Sequence, residues 1–282
     1  MHYTKIGFPT RALIQQWKRN GFSLGFVPTM GALHDGHLSL LKRSMAENDK
    51  TICSIFVNPR QFEDPVDFKK YPNTLCSDLD VLLDLGIDLL FHPEVHTIYP
   101  DDFKAKNYEL NGLDLILEGR DRPGHFQGVC NVLGRLFQIL PVHKAYFGQK
   151  DFQQTAVVKR LIDVLKLDLK IEVCPIVREE NGLAMSSRNE RLTKSQRKEA
   201  GFIYDELLKL KNELCQNDWI LAMDRFKRKI IEAKNSSLEY IKIVDSTTLE
   251  EIDEFDSNRK LVALTAVKYH GVRLLDNIIL NQ

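Results

Sequence analysis

Up to about residue 177, short apolar runs alternate with longer segments whose apolar positions recur at helical spacing. Residues 22–27 predict a strand, and 37–47 predict a helix after it. The run TICSIFV at 51–57 is β-branched and apolar, the pattern of a strand buried on both faces. A helix over 77–85 and a strand over 87–91 follow. Between 126 and 140, Val129, Val132, Leu133, Leu136, Phe137 and Leu140 keep a helical period that Pro141 ends. A strand at 145–147, a helix at 152–165 and a strand at 171–177 complete the alternation. It predicts an α/β fold, a Rossmann-like parallel sheet with helices on both faces.

The pattern changes after the charged turn at 178–182. Residues 194–234 read as mostly helical. Strands at 238–244, 260–267 and 272–280 follow, with a turn at Gly271 between the last two. Helices followed by strands predict a smaller C-terminal α+β domain. The expected division is 1–177 and 178–282.

The 282 residues carry 39 basic and 39 acidic side chains, for a formal net charge of 0. A protein that grips nucleic acid through its phosphates usually carries a basic excess, so no nucleic-acid partner is expected. The neutrality is uneven. Residues 1–62 hold eight basic and three acidic side chains, whereas 63–119 hold four and thirteen. Residues 120–190 return to eleven against eight. The five cysteines (53, 76, 130, 174 and 215) are odd in number, widely spaced and without C-x-x-C. That favours reduced, mostly buried thiols over a disulfide framework or a zinc knuckle. The first residues lack the apolar stretch of a secretion signal, and no run reaches the ~20 apolar residues of a membrane helix. A cytoplasmic protein without a membrane partner is expected.

The richest motif is Pro28-Thr29-Met30-Gly31-Ala32-Leu33-His34-Asp35-Gly36-His37, between a predicted strand and a predicted helix. Ligands of open α/β sheets bind at the carboxyl ends of strands, and a helix N-terminus favours an anion. His34 and His37 are three apart and face one side if both lie on the first turn. Two imidazoles there suit a triphosphate, to which they can donate hydrogen bonds. The spacing is wrong for H-E-x-x-H zinc, and neither a Walker loop nor a G-x-G-x-x-G fingerprint is present.

Three further segments lie at strand ends or in loops. Asn58 and Gln61, just after the second strand, carry amides suited to a hydroxyl- or carboxyl-bearing substrate. Gly148-Gln149-Lys150-Asp151 links a strand to a helix and offers a close backbone approach and a positive charge, with Gln154 one turn on. Met185-Ser186-Ser187-Arg188 sets two hydroxyls and a guanidinium in a polar loop able to grip a phosphate and close over a nucleotide. A serine nucleophile is disfavoured, because G-x-S-x-G is absent.

Together these segments resemble the pantoate–β-alanine ligase (pantothenate synthetase) family. The matching pieces are PTMGALHDGH at 28–37, FVNPRQF at 56–62, YPNT at 71–74, EGRDRPGHFQGV at 118–129, FGQKDFQQ at 147–154 and VREENGLAMSSRN at 177–189. RLLDN at 273–277 is similar to the end of the family's last strands. HxGH by itself marks a wider nucleotidyltransferase superfamily, and MSSR is similar to the KMSKS-type loop of its tRNA synthetases. The resemblance implies ATP-dependent condensation of pantoate with β-alanine through a pantoyl adenylate, releasing AMP and pyrophosphate. It implies ATP contacts from residues 30–37, Gly148–Asp151, Val177 and 185–188, with the C-terminal domain as a lid. His37, His34, Lys150 and Arg188 would be the catalytic set, and Gln61, Gln154 and Asn58 would hold pantoate and β-alanine. Mg²⁺ and a homodimer are also implied, and Asp78 and Asp151 are metal-ligand candidates without an assignment. Gln149 departs from the family, many of whose members carry Glu there.

Two other readings are weaker. Another HxGH adenylyltransferase acting on a phosphorylated acceptor would call for more Arg and Lys than the amide set Asn58, Gln61 and Gln154 provides. A nucleotide-sensing module without chemistry sits poorly with both histidines, Lys150 and Arg188 in place.

Overall fold

The computed structural model describes residues 1–62, 68–69, 71–214, 219–252 and 258–281. The chain forms two units, Met1–Gln149 with Gln153–Cys174, and Lys150–Phe152 with Pro175–Gln282. No helix among the described residues is long and apolar enough to cross a membrane.

Strand residues of the first unit are apolar on both sides of the backbone, and the sheet uses both. Strands β1 (His2–Thr4), β2 (Leu24–Thr29), β3 (Lys50–Ile55), β4 (Leu89–Phe91), β5 (Lys144–Gly148) and β6 (Lys170–Cys174) form one sheet in the order β1-β4-β3-β2-β5-β6. All five pairings are parallel. Phe26, Ile52, Leu89 and Ala145 enter one core with helices α1 (Gly7–Arg19), α6 (His125–Ile139) and α7 (Phe152–Leu165). Val27, Cys53, Leu90 and Tyr146, one residue on in each strand, enter a second core with α2 (Asp35–Glu47) and α3 (Leu75–Leu85). The alternation of side chains along a strand makes two cores from one run. The short helices α4 (Val95–Ile98) and α5 (Leu117–Asp121) complete this unit. The expected doubly covered parallel sheet is therefore present.

From β2 the chain runs outward through β3 to β4, then crosses to β5 on the other side of β2. That reversal makes the carboxyl ends of β2 and β5 the switch point of the sheet, the usual ligand crevice of such folds.

Among the helices and strands of this unit, the short α4 and α5, β1 and α1 lie outside the sequence expectations. β1 is three residues of no clear period, recruited by pairing His2, Tyr3 and Thr4 with Leu89, Leu90 and Phe91. α1 buries Thr10, Ile14 and Trp17, a helical spacing present in the sequence. The first long strand also starts at Leu24 rather than 22, because Phe22 is tied to Trp17 by the turn that ends α1. The acidic block is partly neutralised within the same unit, where Lys50 bonds Asp88 at 2.8 Å and Lys5 approaches Glu94 at 3.8 Å.

In the second unit, α8 (Lys194–Glu199), α9 (Phe202–Leu214) and α10 (Trp219–Glu232) precede an antiparallel sheet of β7 (Ser236–Asp245), β8 (Leu261–Tyr269) and β9 (Val272–Ile279). Leu207, Leu210, Phe226 and Ile230 pack with Ile243, Leu261 and Val267. His270 and Gly271 both take positive φ (47° and 78°) in the two-residue turn that pairs Tyr269 with Val272, the geometry of a tight hairpin.

Cys53, Cys130 and Cys174 are buried and Cys76 is exposed, while Cys215 lies outside the described residues. Burial pushes the Cys53 and Cys130 thiols up to about 12, which makes them inert.

Candidate active site

The Pro28–His37 segment leaves β2 at the switch point and turns into α2. Gly31 (φ 83°) and Ala32 (φ 51°) make that turn in the left-handed region. A Cβ at Gly31 would press on Asp78 Oδ2 at 3.1 Å and on Ile55 at 3.2 Å, besides the strain of its φ. Asp78 holds the turn. Its Oδ2 accepts the Ala32 N–H at 2.9 Å, and its Oδ1 accepts the Leu33 N–H at 2.8 Å. The Thr74 hydroxyl adds a third donor to Oδ2 at 3.2 Å. Asp78 is 4% exposed, so its carboxylate is a buried bracket for the loop. Asp78→Ala leaves two N–H groups without this acceptor. The variant should lose about 1–3 kcal/mol of stability, read from its urea midpoint. An unchanged midpoint would mean that the loop keeps its shape without Asp78.

His34 is the N-cap of α2, and the two histidines cap the helix reciprocally. His34 Nδ1 accepts the Gly36 N–H at 3.1 Å, and His37 Nδ1 accepts the His34 N–H at 3.4 Å. An imidazole that accepts at Nδ1 carries its proton at Nε2 when neutral. Both rings therefore have an Nε2–H donor, and their centroids are 4.1 Å apart. Ordinary capping by Ser or Asp would satisfy the helix but supply no such donors.

The Asn58–Gln61 turn follows β3. Gln61 Nε2 donates to Met30 Sδ at 3.0 Å, and Gln61 Oε1 accepts from Asn58 Nδ2 at 3.2 Å. Asn58 is 1% exposed. Its Nδ2 also donates to the Gly128 carbonyl at 3.1 Å, and its Oδ1 accepts from the Tyr99 hydroxyl (2.9 Å) and the Arg60 N–H (3.2 Å). Its amide is spent on protein partners, and its link to the rest of the site runs through Gln61. The Gln61 carbonyl accepts from His125 Nδ1 at 2.8 Å and from Arg122 at 3.4 Å. Only glycine fits at 128, where a Cβ would collide with the Arg60 carbonyl. Thus part of the 118–129 motif fixes the backbone of Gln61. Of the paired glutamines in α7, Gln153 is buried and bonds the Leu113 and Ile116 carbonyls. Gln154 is half-buried, and its side chain makes no hydrogen bond among the described residues.

The second unit holds Lys150, Asp151, Val177 and residues 185–188. Lys150 Nζ lies 3.2 Å from Asp151 Oδ1, following half-buried Gly148 and Gln149 in the chain. The Val177 carbonyl accepts the Met185 N–H at 3.0 Å, closing a hairpin that presents Ser186, Ser187 and Arg188. Ser186 Oγ accepts the Arg188 N–H at 3.3 Å and caps the short 3-10 turn Ser187–Arg191. Ser187 is buried and Arg188 half-buried. Asn189, fully buried, bonds Glu179 and the Ala184 carbonyl and so ties the loop to its hairpin.

Among the described residues, no three His, Cys, Asp or Glu side chains converge as a metal cage. Asp78 has both oxygens committed to the loop, while the Asp151 side chain is 46% exposed. This donor set fits Mg²⁺ held mainly by nucleotide phosphates and water, with at most one or two protein carboxylates.

The family model described as pantoate-beta-alanine ligase matches residues 7–279. A pantothenate synthetase of Cytophaga hutchinsonii is 44% identical over 272 residues, covering 96% of each chain. The crystal structure of pantothenate synthetase from Thermus thermophilus superposes with a TM-score of 0.93 at 35% identity, covering 100% of both chains. A pantoate-beta-alanine ligase from Francisella tularensis, solved with beta-gamma ATP and beta-alanine, gives a TM-score of 0.81 at 34% identity, covering 99% of this chain and 97% of that one. The chain belongs to the pantoate–β-alanine ligase family.

Proposed function

We propose that this chain joins pantoate to β-alanine at the expense of ATP, through a pantoyl adenylate. The observation that carries the reading is the reciprocal His34/His37 cap, which uses Nδ1 of both imidazoles and so makes Nε2 the donor nitrogen of two neutral rings at the end of β2. In the first step a pantoate carboxylate oxygen attacks the α-phosphorus. A C–O–P anhydride forms and the bond to pyrophosphate breaks. The nucleophile is ionised at neutral pH, so this step needs alignment and charge neutralisation rather than a base. His34 and His37 donate to phosphate oxygens as charge moves onto the leaving group, and Lys150 and Arg188 add positive charge. Mg²⁺ bound with ATP would supply further neutralisation, with Asp151 the carboxylate suited to meet it. Backbone of 30–33, Gly148, Gln149, Val177 and 185–187 forms the rest of the nucleotide site.

In the second step the β-alanine amine attacks the acyl carbon. A C–N bond forms, the acyl–oxygen bond to AMP breaks, and the amine gives up a proton. Gln61 and Gln154 hold pantoate through both steps, while Asn58 orients Gln61. Closure of the 185–188 loop over the adenylate would exclude water from it. Gln61→Ala should raise the pantoate KM about tenfold, as for one hydrogen bond lost, with a smaller change for ATP. An unchanged pantoate KM counts against this assignment.

The chain is further read as a cytoplasmic homodimer, which sedimentation of the purified protein tests. The activity itself is tested by ATP–pyrophosphate exchange. Exchange is expected with pantoate alone, and pantothenate should form once β-alanine is added. Exchange only with a different acid would point to another adenylyltransferase, and nucleotide binding without exchange would remove the enzyme reading.

A further inference from the structure

RLLDN at 273–277 has no role in the site described so far. Its last residue contacts the Lys150 turn. Asn277 is 2% exposed, and its Nδ2 donates to the Lys150 carbonyl at 3.0 Å. Asn277 is itself held on both sides of its backbone. Its N–H donates to Asp276 Oδ1 at 2.7 Å, and its carbonyl accepts from Arg178 Nη2 at 3.3 Å. Asp276 is 5% exposed and takes both guanidinium nitrogens of Arg178, at 2.7 and 2.9 Å. Arg178 stacks 3.5 Å over the Tyr204 ring and donates to the Gly182 carbonyl at 3.0 Å. Lys150, Ser186 and Asp276 share the lining of one narrow cavity. A single buried network thus reaches the Lys150 turn and the hairpin that presents residues 185–188.

We propose that Asn277 is a positioning residue for Lys150, and that the Arg178–Asp276 pair holds Asn277 at the right depth. The inference rests on the reading of Lys150 as a phosphate contact. Chemistry at position 277 is narrow. The side chain must end in a donor aimed at a carbonyl, must be short, and must tolerate burial beside a carboxylate. Asparagine meets all three, whereas aspartate of the same shape turns an acceptor toward the Lys150 carbonyl. The bond ties the backbone of Lys150 itself to a buried side chain, so losing it lets the ammonium drift. A misplacement of about 1 Å costs a catalytic group on the order of 10²-fold.

A double-mutant cycle tests this, read by pantoate-dependent ATP–pyrophosphate exchange and by thermal melting. Asn277→Ala should lower exchange about 10- to 100-fold, mostly in kcat. In a Lys150→Ala background the same change should cost less than about threefold, because a residue that acts through Lys150 has nothing left to position. Asn277→Asp, which preserves volume, should behave alike and serves if the alanine variant does not fold. Equal losses in both backgrounds would assign Asn277 a general structural role and overturn the proposal, while the reading of Lys150 stands. Full exchange in Asn277→Ala would overturn it directly. Full exchange in Lys150→Ala would remove the reading of Lys150 and the proposal with it.

Discussion

Replacing His37 by alanine is expected to lower pantoate-dependent ATP–pyrophosphate exchange by about 10²–10³-fold, the loss of one positioned donor to a developing charge. Two contributions combine in that number, and the structure separates them. His37 Nδ1 accepts the His34 N–H at 3.4 Å, so the alanine also removes half of the cap of α2. Loss of a cap costs about 0.5–2 kcal/mol of stability. Glutamine at the same helix position is a normal capping-box partner, with an acceptor for the N-cap N–H. His37→Gln should therefore restore the melting temperature but not the exchange rate, because it puts no Nε2–H of an imidazole beside His34. If His37→Gln regained activity along with stability, its amide N–H would be donor enough and nothing specific to an imidazole would be required. Near-normal adenylation by His37→Ala would remove its catalytic role altogether.

Lys150→Ala is expected to cost a similar 10²–10³-fold, about 2.7–4 kcal/mol of transition-state stabilisation, but in one half-reaction only. A positive charge on the phosphates matters while pyrophosphate departs. It matters less when an amine attacks an acyl carbon. Single-turnover measurements divide the two steps: adenylate formation from ATP and pantoate should collapse, while preformed pantoyl adenylate plus β-alanine should react within about an order of magnitude of the unmodified protein. Equal loss in both steps would make Lys150 a general contributor to the site. Arginine is not a conservative test here, because its planar fork cannot replace a compact ammonium whose side chain is only 17% exposed.

Much of the first unit was legible in the chain because its cause is local. TICSIFV reads as a doubly buried strand, and Cys53 and Ile52 do enter opposite cores. The 126–140 periodicity becomes α6, and the Gly271 turn becomes the β8–β9 hairpin. Gly31, His34, Gly36 and His37 are close in sequence, so a turn of chain carries their geometry with it. β1 was not legible, because three residues without a period become a strand only when Leu89–Phe91 lies beside them.

In the candidate site the division follows sequence separation. Residue types and spacing alone single out the segments proposed for phosphate-directed chemistry: two imidazoles at a helix start, a lysine after Gly148 and an arginine in a polar loop. Tertiary structure decided how those groups are held. Asp78 brackets residues 32 and 33 from 46 and 45 positions away, and Asn58 is a buried support for Gln61. Asn277 reaches Lys150 across 127 positions. No local pattern marks such bonds. An aspartate in a helix's first turn reads as a favourable charge at the dipole, and an asparagine near a strand's end reads as a turn. Their real partners are backbone groups of distant segments, and only the packed chain brings donor and acceptor together.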